Sequence, residues 1–395
     1  MKRLTRASTR AIWIIFAALL IAGSAPWGGH VSLSVAALQP AAQATQAVTP
    51  TVPRPTVFFE PTRVAPSGAQ PFAMILCKFA DAPETWQTPA DFEKLLFGQD
   101  GLDAYWREAS YGRISLAGSK VVGWYTLPQD AAAYRTEDGA DVDLYRLAVD
   151  CTATADADIH FPDYTGIGMA FNMDVKASSR GGKVCLDLDG QTNCYGAFWL
   201  WPANSRNRAL VAHEIGHAFG LSHSTVASEE EFGNAWDVMS QDGQWWPDPY
   251  YNPAPQHMIA HDKDLLGCIP AARKFTATAR TQTITLERLA QPAPAGYLLV
   301  QIPIAGATSH FYTVEARRRI GFDASLPADA VVIHEVDTAR DAPAVLVSRE
   351  EERNLQATGS MWKVGQRFTD KAHGITIAVD AETESGFVVT IVTSS

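Results

Sequence analysis

Between Val211 and Ser224 the chain reads VAHEIGHAFGLSHS, with three histidines, a glutamate and two glycines in the eleven residues from His213 to His223. Imidazole is a good zinc ligand, and a carboxylate is a good proton acceptor. His213 and His217 are four apart, so on a helix they stand one above the other on the same face. Both can aim a nitrogen at one ion, at about 2.0–2.1 Å for zinc. Glu214 is one residue further on, about 100° round a helix of 3.6 residues per turn, so it reaches a metal-held water without being a ligand. On a continuing helix His223 would lie too far along the axis to share the ion. Gly220 removes that obstacle, because glycine tolerates the left-handed conformation that ends a helix and turns the chain back. His223 then completes a set of three, and the open fourth position marks a catalytic rather than a structural zinc site. The competing reading is an amphipathic helix with scattered histidines. HExxH alone recurs by chance, but HExxHxxGxxH fixes five residue types, three of them the uncommon histidine.

Other elements must hold this stretch in place. SRNRALVAHEIGHAF can run as one helix to Gly220 with Asn204 as its N-cap. Upstream, QPFAMILCKFAD reads as a buried strand closed by a polar turn. PADFEKLLFG and GLDAYWREAS have helical spacing, RISLAGSKVVGWYTLP alternates like strands, and DVDLYRLAVDC is helical again. YTGIGMAFNMD and CYGAFWLWP are strand-like. Strands mixed with helices predict an α/β (α+β) domain over residues 69–272. After LLGCIPAARKF the helical pattern stops. Seven short β-rich runs separated by Pro, Gly and Asp predict an antiparallel β-sandwich over 275–395.

The N-terminus has a different texture. MKRLTRASTR is basic, and the apolar run AIWIIFAALLIAGSA ends in small residues, the pattern of a secretory signal peptide over 1–25. The run is shorter than the roughly 20 residues that span a bilayer, which disfavours a permanent anchor. Pro26 disfavours cleavage after Ala25, and AQA at Ala42–Ala44 offers a later site. Residues 26–68 are rich in Ala, Pro, Thr and Val and read as a linker or short pro-segment. The 395 residues are 47% hydrophobic, enough for two domains, and the formal net charge of -11 argues against a nucleic-acid partner. Five cysteines suit an exported protein. Cys185 and Cys194 bracket a tight turn and are expected to pair. Cys77 lies in an apolar strand as a buried thiol, which leaves Cys151 with Cys268.

The motif His213, Glu214, His217, Gly220, His223 resembles that of the metzincin clan of zinc endopeptidases. The resemblance implies a metzincin-type catalytic domain, with a mixed twisted sheet and an active-site helix. It also implies one catalytic zinc and a methionine turn beneath the metal, which AWDVMS supplies as Met239. MILCKFADAP, LDAYWREASYGRISLAGSKVVGWYTLP, GNAWDVMS and YTVEARRRIGFDASLP resemble segments of gametolysin-like and immune-inhibitor-A-like secreted peptidases, loosely and over about residues 70–370. Some metzincins carry a tyrosine ligand two residues after the methionine; here Gln241 stands there, and no tyrosine ligand is carried over. No cysteine-switch segment of the PRCGxPD kind is present.

The expected function is therefore a secreted zinc endopeptidase acting on protein or peptide substrates, with Glu214 as general base. The alternative is a cell-surface or glycan-binding protein that uses its β-sandwich and keeps a non-catalytic zinc domain. Tyr250 and Tyr251 are candidates to line the cleft, and Trp245 and Trp246 read as packing. His257 and His261 in HMIAH are expected on a solvated helix face, EARRRI on a polar strand edge, and His334 as an isolated residue. DLDG at Asp187–Gly190 lacks the distal glutamate of a calcium loop and reads as a turn, so Ca2+ is unsupported. Substrate identity, oligomeric state and the partner of the C-terminal domain are not legible in the sequence.

Overall fold

The computed structural model describes residues 65–85, 87–175, 177–226, 233–240, 255–278, 280–349 and 358–394. All of these lie in one compact unit that spans Arg54–Ser395. The expected signal peptide, most of the linker, Gln241, Trp245, Trp246, Tyr250 and Tyr251 lie outside the described residues.

In the first half the strands are β1 Gly68–Ala69, β2 Phe72–Lys78, β3 Ile114–Ser115, β4 Lys120–Thr126, β5 Gly166–Phe171, β6 Arg180–Leu188 and β7 Gln191–Leu200. The helices are α1 Pro89–Phe97, α2 Leu102–Ala109, α3 Leu144–Ala155, α4 Arg208–Ala218 and, further on, α5 Ala260–Leu265. Five strands form one sheet in the order β4-β2-β5-β7-β6. The first four are parallel and β6 is antiparallel to β7. β2 is a nearly continuous apolar run because both its faces are covered, as expected for parallel strands between helices. Phe72, Met74 and Leu76 join the core beneath α1, α2 and α4, whereas Ala73, Ile75 and Cys77 join the core beneath α3.

Local chemistry sets the helix ends. Thr88 and Asp91 form a reciprocal capping box at the start of α1, with Pro89 in the first turn. Asp143 caps α3 by accepting from the Arg146 amide at 3.0 Å. Asp189 and Gly190, at φ 50° and 72°, make the two-residue turn that joins β6 to β7. DLDG is thus the hairpin turn.

The rest of the chain adds β8 Ser224–Val226, β9 Lys274–Thr276, β10 Thr281–Glu287, β11 Leu299–Pro303, β12 His310–Arg317, β13 Ala330–Asp337, β14 Ala344–Leu346, β15 Arg367–Asp370, β16 Ile375–Glu382 and β17 Gly386–Thr393. One sheet of four antiparallel strands runs β10-β17-β16-β15. A sheet of six runs β8-β14-β13-β12-β11-β9, antiparallel in its middle but parallel at both ends. The two sheets share a core that includes Ile302, Val314, Ile333, Ile377, Val389 and Ile391. The other face of the six-stranded sheet is also covered. Val332 and Leu346 pack on Ala235 and Trp236, and Phe311 and Val336 pack on Ile259. Its edge strand β8 begins immediately after His223.

Three expectations are corrected. Cys185 and Cys194 do pair, facing one another across β6 and β7. The second bridge is Cys77–Cys151 rather than Cys151–Cys268, and Cys268 is the buried free thiol. Sheet geometry decides this: Cys77 points to the α3 side, where Cys151 waits 6.1 Å away between Cα atoms, while Cys268 packs in the core on the opposite side. His257 and His261 are buried, not solvated, because α5 is packed under the six-stranded sheet. Arg317 of EARRRI is wholly buried, because β12 is a central strand covered on both faces rather than an edge.

Candidate metal centre

Helix α4 starts at Arg208, capped by Asn207, whose side-chain oxygen accepts from the Leu210 amide at 3.0 Å. The expected cap Asn204 belongs to the preceding turn, since the chain still makes a turn bond from Asn207 N to Asn204 O. The helix closes at Gly220, which adopts φ 92°. The Leu221 amide returns to the Gly216 carbonyl at 3.0 Å and the Gly220 amide to His217 at 2.9 Å. This paired reversal is the Schellman arrangement, and it brings His223 back beside the helix.

The result is a triangle of imidazoles. The Nε2 atoms of His213 and His217 are 3.0 Å apart, those of His217 and His223 3.0 Å, and those of His213 and His223 3.1 Å. His213 and His217 are buried and His223 is half-buried. Each of the first two has its other nitrogen engaged. His213 Nδ1 donates to the Val238 carbonyl at 2.7 Å and His217 Nδ1 to the Leu221 carbonyl at 2.8 Å. Burial foremost, with the neighbouring imidazoles, pushes the pKa of His213 well below its ordinary value. Burial and then His223 push that of His217 down to about 4. Both rings are therefore neutral at pH 7, with their single proton on Nδ1. Their Nε2 lone pairs converge with no proton to share, which is unfavourable unless a cation lies between them. Nitrogens held at about 2.0–2.1 Å from a common ion cannot be more than about 4 Å apart, and these satisfy that limit. The donor set fits zinc. Among the described residues this is the only group of three or more His, Cys, Asp or Glu close enough to hold an ion. His257 and His261 do not form another.

Glu214 is buried beside the triangle. Met239 is buried under α4, and its sulfur lies 2.4 Å from where a Cβ on Gly216 would be. Only glycine fits there. On the other side of the helix, a Cβ on Gly181 of β6 would lie 2.2 Å from the Glu214 carbonyl oxygen and 2.8 Å from the His217 Cβ. Strand β6 is thereby laid directly against the helical turn that carries Glu214 and His217. Sequence reasoning missed both glycines. The signal for Gly216 was present in HEIGH, where a glycine inside a helix asks for a packing reason.

A further set of bonds surrounds the site. Asp237 is fully buried, accepts from Ser224 Oγ at 2.6 Å, and accepts from the amides of Met239 at 3.1 Å and Ile259 at 3.3 Å. One carboxylate thus ties the residue after His223 to the methionine turn. Nothing in the spacing of AWDVMS separated Asp237 from a surface aspartate.

Residues 118–224 match a family model described as Metallo-peptidase family M12B Reprolysin-like. The match covers about a quarter of the chain and includes all three histidines. No curated protein matches the chain.

Proposed function

We propose that the chain is a secreted zinc-dependent endopeptidase, with a metzincin-type catalytic domain over 69–272 followed by a β-sandwich domain over 275–395. The observation that carries this reading is the triangle of converging Nε2 atoms, together with an acid one residue after His213 and the M12B-type match over 118–224. His213, His217 and His223 would hold the metal. Zinc would supply Lewis acidity there, which eases attack of water on a peptide carbonyl near neutral pH. The remaining steps belong to side chains. Glu214 takes the proton of the attacking water and returns it to the departing amine. The Val238 and Leu221 carbonyls fix the tautomers of His213 and His217. Met239 forms the floor without touching the chemistry.

Among the described residues β6 ends the five-stranded sheet. An extended peptide can add to such an edge through main-chain hydrogen bonds, and Gly181 brings this edge to the turn that carries Glu214 and His217. That arrangement favours an endopeptidase acting on unfolded segments. The likeness of this chain to gametolysin-like and immune-inhibitor-A-like peptidases points the same way, as do its cysteine bridges to an extracellular setting.

The test is metal content and cleavage of casein or a peptide library, measured side by side on the chain and on Glu214→Gln. One zinc per chain, with cleavage lost only in the variant, is the expected result. Bound zinc without cleavage by either protein would shift the reading to a binding protein with a silent metal centre.

A further inference from the structure

The loop from Asn234 to Met239 has no regular secondary structure, yet His213 depends on its Val238 carbonyl and Met239 packs under the metal-binding helix. Packing of Ala235 and Trp236 on Val332 and Leu346 helps to place it, and so do side-chain bonds, many of which come from the C-terminal sheet. Arg317 of β12 is fully buried and uses its whole fork. Its Nη1 donates to the Trp236 carbonyl and, at 3.0 Å, to Glu315. Its Nε and Nη2 grip Asp323 in a bidentate pair at 2.9 and 2.7 Å. Those two acids carry the bracing further. Asp323 accepts from the His257 amide at 2.9 Å and Glu315 from the Ala260 amide at 2.6 Å. The stretches on either side of residues 241–254 are therefore tied to one guanidinium. Two more bonds act on the same loop, Asn234 Nδ2 to His334 Nε2 at 3.0 Å and Trp236 Nε1 to Ser360 Oγ at 2.9 Å. The backbone agrees: Ser224, next to His223, pairs with Ala344 in the same sheet.

We propose that Arg317 is a positioning residue for the metal centre, holding the 234–239 loop so that the Val238 carbonyl fixes His213 and Asp237 fixes Ser224 behind His223. The C-terminal sheet is then part of the scaffold of the metal site. This rests on the reading of the three histidines as a zinc site. Lysine cannot replace arginine here, because an ammonium on one stem cannot serve a carboxylate fork and a carbonyl at once.

The experiment is Arg317→Lys against the unaltered full chain, with cobalt(II) as an optical stand-in for zinc. Wild-type metal binding is measured first. A wild type that binds neither ion removes the zinc reading, and this proposal with it, before any variant is made. With binding established, folding of the variant is checked by circular dichroism. A folded variant is expected to show a shifted cobalt d–d band and zinc binding weaker by about tenfold, the low end for groups that orient metal ligands. Its kcat should fall while KM stays near the wild-type value. A folded variant with unchanged cobalt spectrum and zinc affinity overturns the proposal. If the variant does not fold, hydrogen exchange on the wild type decides, because coupling is reciprocal. Zinc should then slow exchange in β12 and β13 around residues 313–317 and 332–334. Protection confined to residues 208–223 overturns it.

Discussion

Glu214 and Gly216 are separated by one residue and do opposite things to the same helix. On the proposed mechanism Glu214 moves a proton, so Glu214→Gln should keep one zinc per chain and reduce turnover by about 10²–10⁴-fold, the usual worth of a general base. Metal analysis and a peptide-cleavage assay check both halves. Gly216 is there for space. A methyl group at that position meets the Met239 sulfur, so Gly216→Ala should destabilise the fold by about 1–3 kcal/mol, as overpacking of a dense core does. Urea denaturation measures it. The catalytic candidates were legible from residue types because zinc binding needs particular atoms at a particular helical spacing. Gly216 was not singled out, since its constraint is a side chain that arrives from 23 positions further along.

At the scale of elements, the end of α4 and the underside of the six-stranded sheet carry the consequences. Gly220 sits at φ 92°, where an L side chain costs about 1–2 kcal/mol. Gly220→Ala should therefore weaken zinc binding more than it lowers stability, because the strain is relieved by letting His223 swing away. Calorimetry on the apo and zinc-loaded forms separates the two. Beneath the sheet, burial foremost, then Arg317 and His261, push the pKa of His334 down to about 3. Burial pushes His261 down to about 4. Unfolded histidine titrates near 6.5, so between these values the unfolded chain binds more protons than the folded one. The stability owed to keeping both rings neutral is present above about pH 6.5 and is lost as pH falls toward 4. Buried Asp262, with its pKa raised by burial and by Asp237 and Glu315, acts with the opposite sign and is common to wild type and variant. His334→Gln should consequently flatten the acid loss by roughly one proton, about 1.4 kcal/mol per pH unit over that window. Denaturation at pH 7.5, 6 and 4.5 tests it.

For the molecule as a whole, the zinc reading implies that metal and fold are linked. Anything that binds only the folded chain stabilises it by mass action, about 2.7 kcal/mol at a ligand concentration one hundred times Kd. Chelation should lower the melting temperature, and restoring zinc should recover it. Titration of thiols under denaturing conditions should find one per chain, and alkylation should map it to Cys268. The sequence alone determined the cluster of three histidines, the helix that carries two of them, the glycine that returns the third, the paired Cys185 and Cys194, and the order of α/β and β-rich halves. All of these are local: they depend on spacing of a few residues, on helical or strand periodicity, and on the φ that glycine allows. Only the tertiary structure decided that Cys77 meets Cys151, that His257, His261 and Arg317 are interior, and that β8 joins β14. These depend on which face of a sheet a residue occupies and on what distant segment covers it. Burial of charge is possible only once partners from β12, the 234–239 loop and α5 have assembled, so no window of sequence could contain the reason.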